Sequence, residues 1–264
     1  MNPDLSTRPP RGVTSVHSRA AGEIRGLVGD VASLLLPMGC AGCGCWDVPI
    51  CRGCRHLWEG GLRRCEQDTV SLSETEHPPR PGVPVWALAP YQGSARRMVL
   101  QWKNHTRADL RTFFAEAGRR AGAELAPLVA SQVPAAASSL LVLPAPSGWR
   151  RRIRRRLVVA DLAAAVGQGL RRELTAMVTV RDLLRTPDSS LHRLGAAGRL
   201  SSRRVHLRSR SKESIDTPVL LVDDVVTTGA TLAACRRALS ARGATVVGAL
   251  VLAATPGPGS RTWR

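Results

Sequence analysis

The chain has 264 residues, long enough for one large domain or for one ordinary domain with a small appendage. Apolar residues make up 44% of it, which excludes wholesale disorder, and aromatic residues only 3%, so the core must be mostly alanine, valine and leucine. All but two of the 38 basic residues are arginine, and the formal net charge of +18 favours phosphate-bearing partners such as nucleic acid, nucleotides or anionic lipid.

Two features of the composition bear on location. No apolar run reaches the roughly 20 residues that cross a bilayer, so the sequence predicts no membrane span. The seven cysteines are an odd number and include C-x-x-C pairs, which argues against a disulfide framework of the secreted kind. We therefore expect a cytoplasmic protein.

Composition divides the chain into segments of different character. The beginning is polar, then amphipathic at helical spacing over 22–36, and a cysteine-rich stretch follows. The predicted segments are a tail with a short helix (1–36), a metal-binding cysteine module (37–66), a linker (67–82), an α/β domain (83–255) and a C-terminal tail (256–264).

Strand and helix patterns alternate through the α/β domain. Such alternation predicts a largely parallel sheet flanked by helices, and the unbroken apolar run over 219–222 is typical of a strand buried on both faces. The predicted strands cover 83–91, 140–143, 176–182, 219–222 and 245–253, and the predicted helices cover 93–122, 157–173 and 229–242, with a helix end and a loop over 124–138.

The most specific pattern is VLLVDDVVTTGAT at 219–231, where a buried strand leads into two carboxylates, a loop of small residues and a helix. A helix start presents unpaired N–H groups and a partial positive charge, and Gly229 lets the backbone approach an anion, so the loop predicts a phosphate cradle. Asp223 and Asp224 at the strand end suit sugar hydroxyls, directly or through Mg²⁺. The alternative is an ordinary strand–turn–helix with solvated acids.

Two C-x-x-C pairs, Cys40 with Cys43 and Cys51 with Cys54, are separated by seven residues. This spacing brings four thiolates to one tetrahedral Zn²⁺, with Cys45 as an alternative to Cys43. A redox dithiol, a disulfide pair or an iron–sulfur cluster are other uses of such pairs. A redox C-x-x-C normally starts a helix of a thioredoxin-like fold, which this pattern does not predict, so structural zinc is favoured.

Residues 219–231 resemble the signature with which type I phosphoribosyltransferases bind 5-phosphoribosyl 1-pyrophosphate (PRPP). In that family the acidic pair contacts the ribose 2′- and 3′-hydroxyls and the following loop holds the 5′-phosphate. The resemblance implies that Asp223 and Asp224 are the catalytic pair on ribose. It implies that the phosphate loop consists of Val226, Thr227, Thr228, Gly229, Ala230 and Thr231.

A cysteine module ahead of such a domain resembles the ComF family, a bacterial group associated with competence and DNA uptake. The segment YQG at 91–93 followed by Lys103 resembles that family's Y-x-G…K segment, and LPAP at 143–146 before an arginine-rich stretch resembles its V-P-V-P…R-x-R segment. The resemblance covers roughly residues 35–255, and it implies a sugar-phosphate role for Lys103. A solvated helix lysine is the alternative.

The chain departs from the family pattern beyond the arginine-rich stretch. Where the family usually has R-G-F-N-Q, residues 155–159 read RRLVV, and where it tends to have D-Q…R-x-x-N, Asp188 is followed by Ser189 and 199–202 reads RLSS. The missing amides belong to the half of the site that serves pyrophosphate and the acceptor. The phosphate half matches.

The arginine-rich stretch itself is RRRIRRR at 150–156. Guanidinium groups pair bidentately with phosphate oxygens, so Arg150 and Arg151 are candidates for binding the pyrophosphate of PRPP. The same cluster would serve single-stranded DNA or form a solvated basic surface. Channels for single-stranded DNA commonly add stacking aromatics, and only Trp149 lies near this cluster, so a small phosphate ligand is favoured.

Two hypotheses follow from the resemblance. The first is an enzyme that transfers ribose 5-phosphate from PRPP, with Mg²⁺, to a nitrogen acceptor and releases pyrophosphate. The second is a PRPP or nucleotide sensor, or an adaptor in DNA uptake, that works without turnover and has single-stranded DNA and DNA-uptake proteins as partners.

Overall fold

The structure is a computed structural model, and it describes most of the predicted α/β domain and the cysteine module. The predicted tail and helix of 1–36, most of the predicted linker, and both Arg150 and Arg151 lie outside the described residues. Those residues are 39–68, 82–104, 107–134, 137–146, 152–186, 205–208, 215–257, 260 and 263, with the backbone alone for 152–157.

Within these ranges a sheet of six strands forms the centre of the molecule. In chain order the eight described strands are β1 (Arg63–Arg64), β2 (Val85–Pro90), β3 (Ser139–Pro144), β4 (Met177–Val180), β5 (Leu184–Arg185), β6 (His206–Leu207), β7 (Val219–Val226) and β8 (Val246–Ala254). Two of them, β5 and β6, lie outside this sheet. The helices are α1 (Arg52–His56), α2 (Gly93–Lys103), α3 (Asp109–Ala130), α4 (Arg152–Glu173) and α5 (Ala230–Ser240).

The sheet order is β1-β2-β8-β7-β3-β4, and every pairing is parallel except the antiparallel pair of β1 with β2. Strands β5 and β6 form a separate antiparallel ribbon. Helices therefore have to connect the parallel strands. The predicted α/β class with a largely parallel sheet flanked by helices is confirmed.

Both faces of the sheet are covered, because its strands alternate their apolar side chains between two clusters. Along β7, Leu220 and Val222 face the cluster built with α2, α3 and α4. Val219 and Leu221 face the cluster built with α5. Continued by two residues, the alternation turns Asp223 towards the second cluster and Asp224 towards the first. It does not reach the end of the strand, where Val225 packs against the first cluster and Val226 belongs to the second.

Helices α3 and α4 lie unusually close together, because glycine faces backbone at their crossing. A Cβ added to Gly122 would lie 2.2 Å from the carbonyl oxygen of Val166, and one added to Gly169 would lie 2.1 Å from that of Arg119. No side chain fits in either place, so these two glycines set the separation of the helices.

Most predicted elements are observed near their predicted bounds, but β7 continues four residues past the predicted strand end at 222, and α1, β1, β5 and β6 are not among the predicted elements. The single helix predicted over 93–122 is wrong, since α2 ends at Lys103 and α3 begins at Asp109. Helix α3 then continues to Ala130, into the stretch predicted as a helix end and loop. Between the two helices, the guanidinium of Arg107 pairs with Asp109 at 2.9 Å and also donates to the carbonyl of Gly39 in the cysteine module. None of the described helices is both long and apolar enough for a membrane span.

Substitution Gly122→Ala tests the close contact of α3 and α4. Alanine is favoured over glycine within a helix by about 1 kcal/mol, but the added methyl group would overlap the carbonyl of Val166. We expect a net loss of about 1–3 kcal/mol in the free energy of unfolding, measured by urea denaturation.

Gly53→Ala in α1 is the matched control, because an added Cβ there meets no heavy atom within 4 Å. It should leave stability unchanged or slightly raised. Equal losses in the two variants would contradict the packing explanation.

Candidate functional site

The carboxyl end of β7 brings Asp224 against a lysine from a distant part of the chain. Lys103 Nζ lies 2.7 Å from Asp224 Oδ1, and the two side chains are only 12% and 15% exposed. Lys103 is the last residue of α2, where a cation also meets the negative end of the helix dipole. The structure therefore brings together two residues that the sequence analysis singled out for different reasons.

The side chain of Asp223 lies on the opposite face of the sheet, towards α5. Its Oδ1 accepts a hydrogen bond of 2.8 Å from the backbone N–H of Asp224. Burial raises the pKa of the Cys235 thiol in α5, and the negative charge of Asp223 raises it further. The two adjacent carboxylates thus point to the α2 face and to the α5 face, as strand alternation requires.

A tight turn follows β7 and leads into α5. Gly229 caps the helix with a φ of 79°, a left-handed conformation that glycine adopts without strain. Thr228 Oγ1 lies 3.4 Å from the backbone nitrogen of Ala230, and the side chains of Thr227 and Thr228 are exposed. Exposed hydroxyls and the first N–H groups of α5 thus lie together at this turn, which is the arrangement that the predicted phosphate cradle requires.

The predicted phosphate loop divides among three elements. Val226 is the last residue of β7, where its side chain is buried and its carbonyl accepts a bond of 2.9 Å from Thr255. Residues 227–229 form the turn, and Ala230 and Thr231 begin α5. Only the turn and the start of α5 are therefore placed to meet a ligand with their polar groups.

A second candidate site lies in the cysteine module. The sulfur atoms of Cys40, Cys43, Cys45 and Cys51 all lie within 4.8 Å of one another, and Cys43 Sγ is 3.6 Å from Cys51 Sγ. Four sulfurs about 2.3 Å from a central Zn²⁺ stand about 3.8 Å apart, so the donor set and its spacing fit zinc. The described residues include no other such group of His, Cys, Asp or Glu.

The sequence pattern and the sulfur distances indicate different fourth ligands: the pattern indicates Cys54, and the distances indicate Cys45. Cys40, Cys43 and Cys51 are predicted ligands, and Cys45, which the sequence offered as an alternative to Cys43, lies with all three of them. The predicted ligand Cys54 is buried beside the group and interacts with the thiols of the other three predicted ligands. Five thiols therefore surround a site in which one tetrahedral metal takes four.

The backbone prepares Cys40 for a metal. Burial of its thiol opposes ionisation, but hydrogen bonds from the backbone of Cys51, Cys43 and Gly42 outweigh burial and lower its pKa to about 5. The N–H of Cys51 lies 3.3 Å from the Cys40 sulfur. A thiolate held by N–H donors is the form that binds Zn²⁺.

The cysteine module is held on α2 by bonds to its backbone carbonyls. Arg97 Nε donates to the carbonyl of Gly42, and Gln101 Nε2 donates to that of Ala41 at 3.1 Å. From beyond the end of α2, Arg107 donates to the carbonyl of Gly39 at 2.8 Å. Polar residues on an amphipathic helix normally indicate solvent, so no signal in the sequence could have identified these contacts.

Apolar packing joins the module to the same core as the sheet. Trp58 is 1% exposed, stacks edge-on against Phe114 with ring centroids 4.8 Å apart, and donates from Nε1 to Met98 Sδ at 3.4 Å. Cys40 and Cys54, each 4% exposed, belong to the core cluster of α2, α3 and α4. The module is therefore part of the domain's core.

Comparison with known proteins bears on the second half of the chain. Residues 172–261, about a third of the chain, match the phosphoribosyl transferase domain. This segment contains β7, its turn and α5. The match supports a domain of the phosphoribosyltransferase type, in agreement with the observed fold class. The search of curated proteins finds no match.

Among solved structures, the chain is similar to a hypoxanthine phosphoribosyltransferase from Staphylococcus aureus. The two are 15% identical, and the similarity covers 52% of this chain and 61% of that one, with a TM-score of 0.29. The chain thus spans less than two thirds of that enzyme. A TM-score this low does not by itself establish a common fold.

The zinc bound by single cysteine variants shows which cysteines are ligands. Serine in place of Cys40, Cys43 or Cys51 should lower bound zinc from about one per chain to about a tenth of that or less, because these three belong to both candidate sets. Mass spectrometry of the purified variants gives the ratio. Cys235 is a buried residue of α5 outside the cysteine module, so Cys235→Ser is the control and should keep full zinc.

The fourth ligand is decided by Cys45→Ser against Cys54→Ser. The paired C-x-x-C pattern predicts zinc loss for Cys54→Ser, and the sulfur distances predict it for Cys45→Ser. Full zinc in all five single cysteine variants of the module would contradict a thiolate-bound metal.

Removal of the metal should destabilise the whole domain. Because the module shares the core of α2 and α3, we expect the zinc-free protein to melt about 5 °C or more below the zinc-loaded protein, in a single transition. Calorimetry measures this, and reloading with Zn²⁺ should restore the original transition. A separate early transition with the main one unchanged would show that the module unfolds independently.

Proposed function

We propose that the chain is a ComF-like protein that binds PRPP at the carboxyl end of β7 and transfers its ribose 5-phosphate to a nitrogen acceptor in the cytoplasm. The match of residues 172–261 to the phosphoribosyl transferase domain supports the class of ligand. The cysteine module, packed on the same domain, supports the ComF-like organisation.

The observation that carries the proposal is the meeting of Lys103 with Asp224. The ComF resemblance rests on separate segments, and two of them, the Y-x-G…K segment and the acidic strand end, contribute the atoms that lie 2.7 Å apart. A solvated helix lysine, the alternative weighed from the sequence, would be largely exposed. Lys103 is 12% exposed, which supports a role at the site.

Each part of the site has a chemical task in the proposed reaction. Asp223 and Asp224 hold the ribose hydroxyls, while the turn of 227–229 and the first N–H groups of α5 hold the 5′-phosphate. The C1–oxygen bond to pyrophosphate breaks with its electron pair leaving on pyrophosphate, and a bond from C1 to the acceptor nitrogen forms as that nitrogen loses a proton.

Positive charge is needed where pyrophosphate leaves. Arg150 and Arg151 follow β3, the neighbour of β7 in the sheet, and are proposed to bind pyrophosphate. Asp223 and Asp224 are the residues that would hold a Mg²⁺ supplied with PRPP, and the ion would neutralise charge on the departing pyrophosphate. Zinc at the cysteine module has a structural task.

Calorimetric titration with PRPP and Mg²⁺ tests the proposal. The wild type should bind saturably, and Asp223→Asn/Asp224→Asn should bind about 10-fold or more weakly, because two acceptors for ribose hydroxyls are weakened. Asp161→Asn is the control for loss of a carboxylate away from the site, since Asp161 pairs with Arg111 on the surface, and it should bind as the wild type does. Absence of binding by a folded, zinc-loaded wild type would overturn the proposal.

Turnover separates the enzyme from the sensor. Pyrophosphate release in the presence of a panel of nucleobases supports transfer, and release lost in the double aspartate variant assigns it to this site. Saturable PRPP binding with no pyrophosphate release from any acceptor would instead support the non-catalytic sensor or adaptor. Salt-sensitive binding of single-stranded DNA would then point to DNA uptake.

A further inference from the structure

The pair of Lys103 and Asp224 closes a connection between the cysteine module and the strand end of β7. Nζ and Oδ1 are 2.7 Å apart with both side chains mostly buried. One residue ends a helix of the first half of the chain, and the other lies on a central strand of the second half. Such a contact fixes the position of both partners relative to each other.

The ammonium group of lysine is a compact positive charge with three N–H donors. In Lys103 one of these N–H groups donates to Asp224 Oδ1. A carboxylate bound at one oxygen keeps acceptor capacity at the other, and its orientation is restricted. Removal of one partner of a largely buried ion pair leaves the other charge poorly solvated and free to turn away. Lys103 therefore controls how Asp224 presents its carboxylate.

The position of Lys103 depends in turn on the cysteine module. On α2, Gln101 bonds the carbonyl of Ala41, and Arg97 bonds that of Gly42, within the Cys40–Cys43 turn. Met98 of the same helix receives the indole N–H of Trp58 at 3.4 Å. One helix thus binds the module along its length and places Lys103 at its end.

We propose that Lys103 is a positioning residue that acts on the ligand through Asp224, and that the cysteine module determines its position through α2. The inference rests on the proposed function, because Asp224 is taken to hold a ribose hydroxyl. The competing assignment is a direct contact of Lys103 with a phosphate of PRPP. The two assignments differ in how the effects of substitution combine.

A double-mutant cycle separates them. Dissociation constants for PRPP with Mg²⁺ are measured for the wild type, Lys103→Met, Asp224→Asn and the double variant at one salt concentration. We expect each single substitution to weaken binding about 10-fold or more, and the double variant to bind no more weakly than Asp224→Asn alone. Lys103→Arg, which keeps the charge, should recover part of the affinity lost in Lys103→Met.

Three results would overturn the positioning role. The first is a double variant whose fold-loss of affinity equals the product of the two single losses, as a direct phosphate contact would give. The second is unchanged affinity in Lys103→Met. The third is tighter binding by Lys103→Met, which would mean that Lys103 competes with the ligand for Asp224. A wild type that does not bind PRPP overturns the proposed function as well, so the two failures are distinguishable. The exposed pair of Arg111 and Asp161, at 3.1 Å, supplies the control cycle and should not change affinity.

Folding of the variants is a separate measurement. The double variant leaves no unpaired charge in place of the ion pair, so it should fold even if Lys103→Met does not. In that case Lys103→Arg and Lys103→Arg/Asp224→Asn replace the methionine variants in the cycle. Coupling in that second cycle supports the same inference, and independent effects overturn it.

The contribution of the module is tested with variants that touch no ligand. Gln101→Ala and Arg97→Ala should weaken PRPP binding about 3-fold or more while zinc content stays near one per chain. Arg119→Ala on α3, whose partner is Glu116, is the control and should leave affinity unchanged. Wild-type affinity in both module variants would overturn the part assigned to the cysteine module.

Discussion

Side-chain alternation along β7 is the constraint on which the candidate site depends. The strand is buried on both faces, and from Val219 to Val222 its apolar residues alternate between the two sides of the sheet. Two adjacent carboxylates at its end must then diverge. Asp224 meets Lys103 from α2, and Asp223 lies near Cys235 of α5. The two carboxylates therefore lie near different helices, Asp224 near the end of α2 and Asp223 near α5.

The cysteine module is better understood as a part of the α2 layer than as an appendage. Its turns are bonded through their carbonyls, and its tryptophan fills the core between α2 and α3. Carbonyl contacts are insensitive to side-chain identity in the module, so they fix its backbone while the thiols remain available to a metal. The ion pair at the far end of α2 makes the same helix a wall of the candidate site.

Much of the architecture could be predicted because it follows from periodic burial. The strands and the turn after β7 lie within a few residues of their predicted bounds, and three predicted ligands, Cys40, Cys43 and Cys51, do converge. Tertiary contacts account for the rest. The contact of Arg107, beside the break between α2 and α3, with the distant carbonyl of Gly39 has no local pattern in the sequence. The sequence offered Cys45 only in place of Cys43, and the approach of all four sulfur atoms depends on how the loop folds back.

The two-residue strand β1 has a consequence for self-association. Its exposed arginines pair antiparallel with Trp86 and Ala87 of β2, and Arg64 also stacks over the Trp86 ring at 5.7 Å. Strand β2 is almost entirely buried and apolar, so without β1 it would offer its free backbone groups to any passing strand. Charged side chains at that border discourage such addition. A chain shortened to begin after the linker would lack β1. Its β2 would then be an exposed edge strand, able to pair with β2 of another copy of the chain.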